Sequence, residues 1–288
     1  MKKLKIVALL TLVLITTNMN AQKLDLKTFR ADENSFHVAS VIVSGEKDAV
    51  LIDGQFTLAN AHRVVAELKD NGKNLTTIYV SHGDPDYYFG LEVITKAYPN
   101  AIVYATAPVI EHIKHSYQKK LAVWGPKLGT NGTKNVIMPR ELEGNSIDLE
   151  GNKLEIKGLG SKSSARTYVW IPSIKAIVGG VNVYYNLHLW IADAETTEDR
   201  DNWIEILEGM KKLNPETVIP AHALTDANTK GEATIDYSLN YLKTYQKEEP
   251  KAKNSAELIE TMQKLYPNAG LGIALQLGAK VSKGEMKW

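Results

Sequence analysis

The sequence predicts an α/β protein, two α/β halves packed sheet to sheet with helices on the outside. Three observations carry this reading. Short β-branched runs of alternating polarity recur along the chain, stretches of helical period separate them, and two histidine-bearing segments stand at strand ends. A hydrophobic share of 44% over 288 residues is ample for a sizeable core in one large domain.

Residues 1–15 have a basic start and then an apolar run too short for a comfortable membrane span, and polar residues follow as far as Ala21. This is the pattern of a secretory signal peptide over residues 1–21, although Met19 stands where a cleavage site prefers a small residue. The mature chain is then a single domain over residues 22–288, with a helical extension from about residue 235. Removing Lys2, Lys3 and Lys5 leaves 31 basic residues against 33 acidic, a net charge of −2 that suggests no nucleic-acid partner. There is no cysteine, hence no disulfide, no thiolate ligand and no cysteine nucleophile. The expected location is periplasmic or secreted, with no stable membrane association once the leader is removed.

Strands are expected at residues 24–30, 36–44 and 49–53, the last ending in the sharp Asp53-Gly54 bend. A helix over residues 57–69 follows, closed by Asn71-Gly72, and His62 on it reads as structural or solvent-facing. The apolar run Thr77-Ile-Tyr-Val80 then opens into Ser-His82-Gly-Asp84-Pro-Asp86-Tyr87. Imidazole nitrogens and carboxylate oxygens at alternate positions after a strand suit zinc, iron or manganese, and a capped turn cornered on Asp84-Pro85 is the competing account. A helix over 87–98 and a strand over 101–105 come next, then a helix beginning near Pro108 whose His112, His115 and lysines suggest a solvated face.

Residues 124–139, with three glycines and two prolines, read as an irregular crossing loop. Short strands are expected at 146–149, 153–156, 167–171 and 176–178, with 181–185 extending the last. A helix over 197–213 starts in acidic residues, and the segment 216–222 is a strand that again ends in a histidine, His222. Amphipathic helices at 237–247 and 256–265 and an apolar segment at 271–281 complete the chain, and their pairing with a second subunit in a homo-oligomer is left open. Because His82 and His222 both lie at strand ends, where ligands gather in α/β folds, the metal account of residues 82–86 outweighs the capped turn.

Three motifs carry a resemblance to the metallo-β-lactamase superfamily of hydrolases: Ala49-Val-Leu-Ile-Asp53-Gly54, Val80-Ser-His82-Gly-Asp84-Pro-Asp86-Tyr87-Tyr-Phe-Gly90 and Val218-Ile-Pro-Ala-His222. The resemblance implies a four-layer αββα sandwich, two mixed β-sheets with helices on the outer faces, holding one or two metal ions, usually zinc. His82, Asp86 and His222 fall on the family's ligand positions. The chain departs from the pattern elsewhere. Asp84 and Tyr87 stand where the family's loop has histidines, residues 159–164 lack the next histidine, and 180–182 lack the bridging aspartate.

The ligand set implied is His82, Asp84, Asp86 and His222 around a single ion, zinc first with manganese or iron competing, and His188 as an outlying fifth. Such an ion would activate water for attack on a small ester, lactone, thioester or amide. Asp86 would orient that water, and Tyr87 or Tyr88 would donate to the oxyanion unless they simply pack on the helix face. Trp124, Tyr185 and Trp190 are expected to wall a small-molecule pocket. The alternatives are a non-catalytic or metal-poor binding protein on the same fold and, less favoured, a β-lactamase.

Overall fold

The structure is a computed structural model that describes residues 23–224 and 229–288, so the expected leader lies outside the described residues. Its first sheet holds β1 (Asp25–Arg30), β2 (Ala39–Ser44), β3 (Asp48–Ile52), β4 (Asn74–Tyr79), β5 (Ile102–Ala105) and β6 (Arg140–Glu141) as neighbours in that order. The hairpins β1–β2 and β2–β3 are antiparallel, and the pairs from β3 to β6 are parallel. Parallel neighbours need crossovers. These are α1 (Leu58–Asn71), α2 and α3 (Pro85–Tyr88, Leu91–Ala97) and α4 (Ala107–Leu128).

The remaining strands are β7 (Ser146–Leu149), β8 (Asn152–Lys157), β9 (Tyr168–Ile171), β10 (Ala176–Val178), β11 (Tyr184–Tyr185), β12 (Thr217–Val218) and β13 (His222–Ala223). Five of them form the second sheet in the order β12-β10-β9-β8-β7, and β11 pairs with β13 on its own. In the second sheet β10 and β12 run parallel across α5 (Thr197–Lys212). Helices α6 (Glu232–Glu248), α7 (Ser255–Leu265) and α8 (Gly272–Ser282) finish the chain.

Strand alternation builds the layers. Val41, Val43, Val50 and Ile52 of the first sheet share one apolar cluster with Leu154, Ile156, Val169, Ile171 and Val178 of the second. Their neighbours on the opposite faces, Ile42, Leu51, Tyr168 and Trp170, belong to a larger cluster with Val64, Leu68, Ile110, Trp203 and Leu207 from the helices. One set fills the space between the sheets and the other cements helices to their outer faces, as period-two side chains on a strand require. Caps fix where the helices begin. Thr57 accepts from Asn60 N at α1, and Thr196 and Asp199 form a reciprocal capping box at α5.

Several boundaries differ from expectation, each for a local reason. The strand foreseen at 36–44 starts at Ala39, because Phe36 and His37 adopt φ of 56° and 55°. The helix foreseen over 87–98 is divided at Gly90, whose N–H bonds Gln55 O at 2.8 Å. A Cβ there would lie 2.1 Å from Gly54 O, so only glycine lets the chain pass beneath the end of β3. The crossing loop foreseen from 124 begins later, since α4 runs through Pro126 to Leu128. Trp124 on that last stretch packs edge-on against Phe36 and Phe56, a tertiary contact that outweighs the local breakers. Residues 181–185 do not extend β10, because Gly179 and Gly180 turn the chain at φ 70° and 81°. Pro220 likewise interrupts the strand foreseen at 216–222, leaving β12 and β13 in different sheets.

Candidate active site

The strand ends that hold the polar cluster are tied together by one buried carboxylate. Asp53, at φ 67° just past β3, accepts from Ser81 N at 2.8 Å and from the Ser81 hydroxyl, and the Ser81 oxygen accepts from Gly180 N at 2.7 Å. Burial pushes the Asp53 carboxyl up to about 7, against the lowering effect of the two Ser81 donors. The knot positions His82, the next residue. Its Nδ1 donates to Ala165 O at 3.0 Å, and its Nε2 faces Asp84 Oδ2 at 3.1 Å. Both ring nitrogens thus face oxygen atoms at hydrogen-bond distance.

The other Asp84 oxygen is bonded to the Lys120 ammonium. Lys120 reaches in from α4 and spends its remaining donors on Gly83 O at 3.2 Å and His112 Nε2 at 3.4 Å. Burial alone would raise the Asp84 carboxyl, but Lys120 and His82 hold it well below the usual carboxylate range. His112 is lowered to about 4 by burial and by the neighbouring ammonium, so at neutral pH its Nε2 is an acceptor.

A second group of contacts surrounds His222. Its Nδ1 donates to Phe36 O at 2.8 Å, so Nε2 is the acceptor and takes the Tyr87 hydroxyl proton at 2.9 Å. Tyr184 stacks on the imidazole with ring centroids 4.7 Å apart, because β11 and β13 pair Tyr184 with His222. Burial lowers His222 to about 4. Asp86 Oδ2 lies 3.5 Å from His222 Nε2, and burial, with the Asp84 charge beside it, pushes the Asp86 carboxyl well above its ordinary range. The two carboxyls of the loop are therefore driven in opposite directions, Asp84 towards the ionised form and Asp86 towards the protonated one.

Beside this cluster lies a cavity of about 710 Å³. Asp84, Asp86, Lys120, Tyr184 and His222 form its polar floor, and Phe36, Phe56, Trp124, Trp190 and Trp288 are among its apolar walls. Phe36 joins the walls, packing edge-on to both Trp124 and Trp190. A smaller cavity of about 350 Å³ adjoins His82, His112 and residues 162–166, and Asp193 lines both.

The structure thus brings His82, Asp84, Asp86, Tyr87 and His222 to one place, with Trp124 and Trp190 at the cavity beside them. It puts three expected residues elsewhere. His188 Nδ1 bonds the Tyr241 hydroxyl at 2.9 Å against α6, outside both cavities, so it is a structural histidine and not an outlying ligand. The Tyr88 ring turns edge-on to Phe89, and the residue lines neither cavity. Tyr185 packs against Tyr237, and strand alternation gives the cavity to Tyr184 in its stead. Lys120, His112 and Arg166 were not foreseen. A signal for two of them existed, since His112, Ser116, Lys120 and Trp124 recur every four residues along α4 and all border the cavities.

Would these residues hold the metal ion that the motifs imply? Among the described residues no three His, Asp or Glu side chains converge as a metal would need. The donor set gives the reason. The Asp84 oxygens are taken by the Lys120 ammonium and by His82 Nε2, and the His222 Nε2 lone pair is filled by Tyr87. A divalent ion requires those same lone pairs, with imidazole nitrogens free of protons. The residues do not fit the ion.

Fold and site together define an α/β sandwich of hydrolase type with its polar cluster at the open strand ends. The family description "Metallo-beta-lactamase superfamily" matches residues 34–222, and the chain belongs to that superfamily. Among solved structures it is similar to a metallo-beta-lactamase from Pontibacter korlensis, at 17% identity and a TM-score of 0.54 over 79% of this chain and 97% of that one. It is also similar to the DIM-1 metallo-beta-lactamase, at 19% identity and a TM-score of 0.52 over 77% and 93%. At these identities the likeness is one of fold. No curated protein matches the chain.

Proposed function

We propose that this protein is a metal-poor member of its superfamily that holds an apolar small molecule in the aromatic cavity. One observation carries the reading: the Lys120 ammonium pairs with Asp84 at the centre of the cluster, with all of its donors spent on Asp84, Gly83 and His112. A positive charge held by the chain itself does there what a bound ion would otherwise do for the Asp84 carboxylate. The cavity volume and its tryptophan and phenylalanine walls suit a compact apolar ligand. Purified protein, incubated with zinc, manganese or iron and then desalted, should carry less than about a tenth of an equivalent by mass spectrometry. One equivalent or more, lost in His82→Ala and Asp86→Ala, would overturn the reading and restore a metal-dependent hydrolase.

A second reading, hydrolysis of a small ester, lactone, thioester or amide, is favoured by Asp86 and His222 facing the same cavity. Burial favours the proton-bearing form of the Asp86 carboxyl, the donor that a developing oxyanion would use, and His222 would serve as the base once the Tyr87 hydroxyl yields its Nε2 lone pair. Turnover of a panel of such substrates in chelator-treated protein, abolished in His222→Ala, would establish it. β-Lactam hydrolysis is the remaining version, and absence of nitrocefin turnover with zinc added would dismiss it. Export to the periplasm or beyond is part of the proposal and rests on the leader pattern of residues 1–21. Among the described residues no helix is long and apolar enough to cross a membrane.

A further inference from the structure

Arg166 is a buried cation that makes no ion pair among the described residues. The residue borders the smaller cavity and is only 8% exposed, and no carboxylate among the described residues reaches ion-pair distance of it. Nη1 is buried and bonds nothing. The guanidinium lies over the Trp203 ring, 4.3 Å from its centroid, and Trp203 is itself fully buried. Stacking holds the plane of the guanidinium but satisfies none of its N–H donors. A buried charge with unmet donors is costly, so a fold that keeps one has a use for it.

The surroundings say what would meet it. Ser163, Ser164 and Lys162 line the same cavity, which adds hydroxyl donors and a second cation at the rim, where Lys162 pairs with Glu198 at 2.9 Å in solvent. Of the acids nearby, Asp84 is paired with Lys120, and Asp193, whose Oδ1 accepts from Trp288 Nε1 at 2.5 Å, is pushed up to about 6 by burial, with the Arg166 charge acting against that rise. Asp193 borders both cavities, so the basic recess opens beside the aromatic one. A planar fork of N–H donors matches a carboxylate in geometry and charge.

We propose that the recess at Arg166 receives the carboxylate head of an amphipathic small molecule whose apolar body lies in the aromatic cavity. The inference rests on the ligand-binding reading above and names the class of ligand. Titration calorimetry on the full mature chain with octanoate and octan-1-ol tests it, since the two differ only in the head group. Octanoate should bind at least about tenfold tighter, the worth of one charge-assisted pair. The Arg166→Gln variant, checked for folding by circular dichroism, should bind both equally, and Arg166→Lys should keep part of the preference. Equal affinities in the wild type would overturn the carboxylate recess and leave the apolar cavity standing. A preference that survives in folded Arg166→Gln would overturn the assignment to Arg166. No binding of either probe would overturn the cavity reading and this inference with it. Where Arg166→Gln fails to fold, Arg166→Lys carries the test, and an undiminished preference in it would overturn the assignment.

Discussion

Replacing Lys120 with methionine is the perturbation that bears most directly on the site. The substitution keeps much of the stem and deletes the ammonium, leaving Asp84 with His82 alone. The Lys120 and Asp84 side chains are 19% and 18% exposed, so the pair is largely shielded and the lost contact is not a surface ion pair. Breaking a buried pair from one side costs about 3 kcal/mol, which for a chain of this length lowers Tm by about 6 to 12 °C. The sign with pH follows from the direction of the Asp84 shift. Its carboxyl is depressed in the folded protein, so its contribution is present above the unfolded pKa and lost as the pH falls through the folded one. Without Lys120, burial dominates and Asp84 protonates earlier. The gap between wild type and Lys120→Met should therefore be widest near neutrality and narrow as the medium is acidified. Urea unfolding of Lys120→Met, Asp84→Asn and the double variant gives the coupling directly, expected at about 2 kcal/mol or more. Additive single effects, or a gap that does not change with pH, would refute the internal-cation account.

Three further outcomes follow from particular contacts. Tyr87→Phe removes the donor to His222 Nε2 and should cost about 1 kcal/mol in urea unfolding, whereas a neutral result would mean that this hydrogen bond is absent in solution. His188 is lowered to about 4 by burial, so the unfolded chain binds its proton first and stability falls as pH drops from about 6.5 towards 4. Between pH 7 and 4.5 that component amounts to about 2 to 3 kcal/mol, and His188→Gln should lack it in denaturation curves at the two pH values. Gly90→Ala puts a methyl group 2.1 Å from Gly54 O and should prevent folding or cost several kcal/mol, while Gly209→Ala on α5 meets nothing within 4 Å and should stabilise by about 0.5 kcal/mol. Comparable Tm values for the two glycine variants would contradict the packing described at the end of β3.

The layers were legible in the sequence because they depend on local period. Val41, Val43 and Val50 alternate with Ile42 and Leu51, and α1 and α5 carry their apolar stripes between recognisable caps. His82 and His222 were legible as site residues because both stand where an apolar run stops. What could not be seen was which donors face which acceptors. Lys120 meets Asp84 across 36 positions and Tyr87 meets His222 across 135, separations at which no local pattern specifies a contact. In sequence Lys120 is one of several lysines on a solvated-looking helix, and its four-residue spacing from His112, Ser116 and Trp124 has meaning only because that face of α4 borders the cavities. Tyr185 and Tyr184 show the limit at its finest, since a shift of one residue along β11 exchanges the cavity wall for the face that meets α6.

The departures from the family pattern make physical sense as a set and not one at a time. An aspartate where a histidine is expected adds negative charge, and Lys120 supplies the compensating ammonium from the facing helix. A tyrosine at the next histidine position donates a proton, which is useful only if the His222 lone pair it meets is not engaged with an ion. Loss of the histidine expected in residues 159–164 removes a further nitrogen, and the same loop delivers Ala165 O to take the His82 proton and Arg166 to line the neighbouring recess. Each change removes a lone pair from a metal's reach and installs a hydrogen bond that the chain completes by itself. Restoring any single ligand would break one of those bonds without assembling an ion site. Asp84→His in the Lys120→Met background should therefore bind no more than a fraction of an equivalent of zinc, and recovery of a full equivalent from those two changes would show that the remaining contacts are incidental.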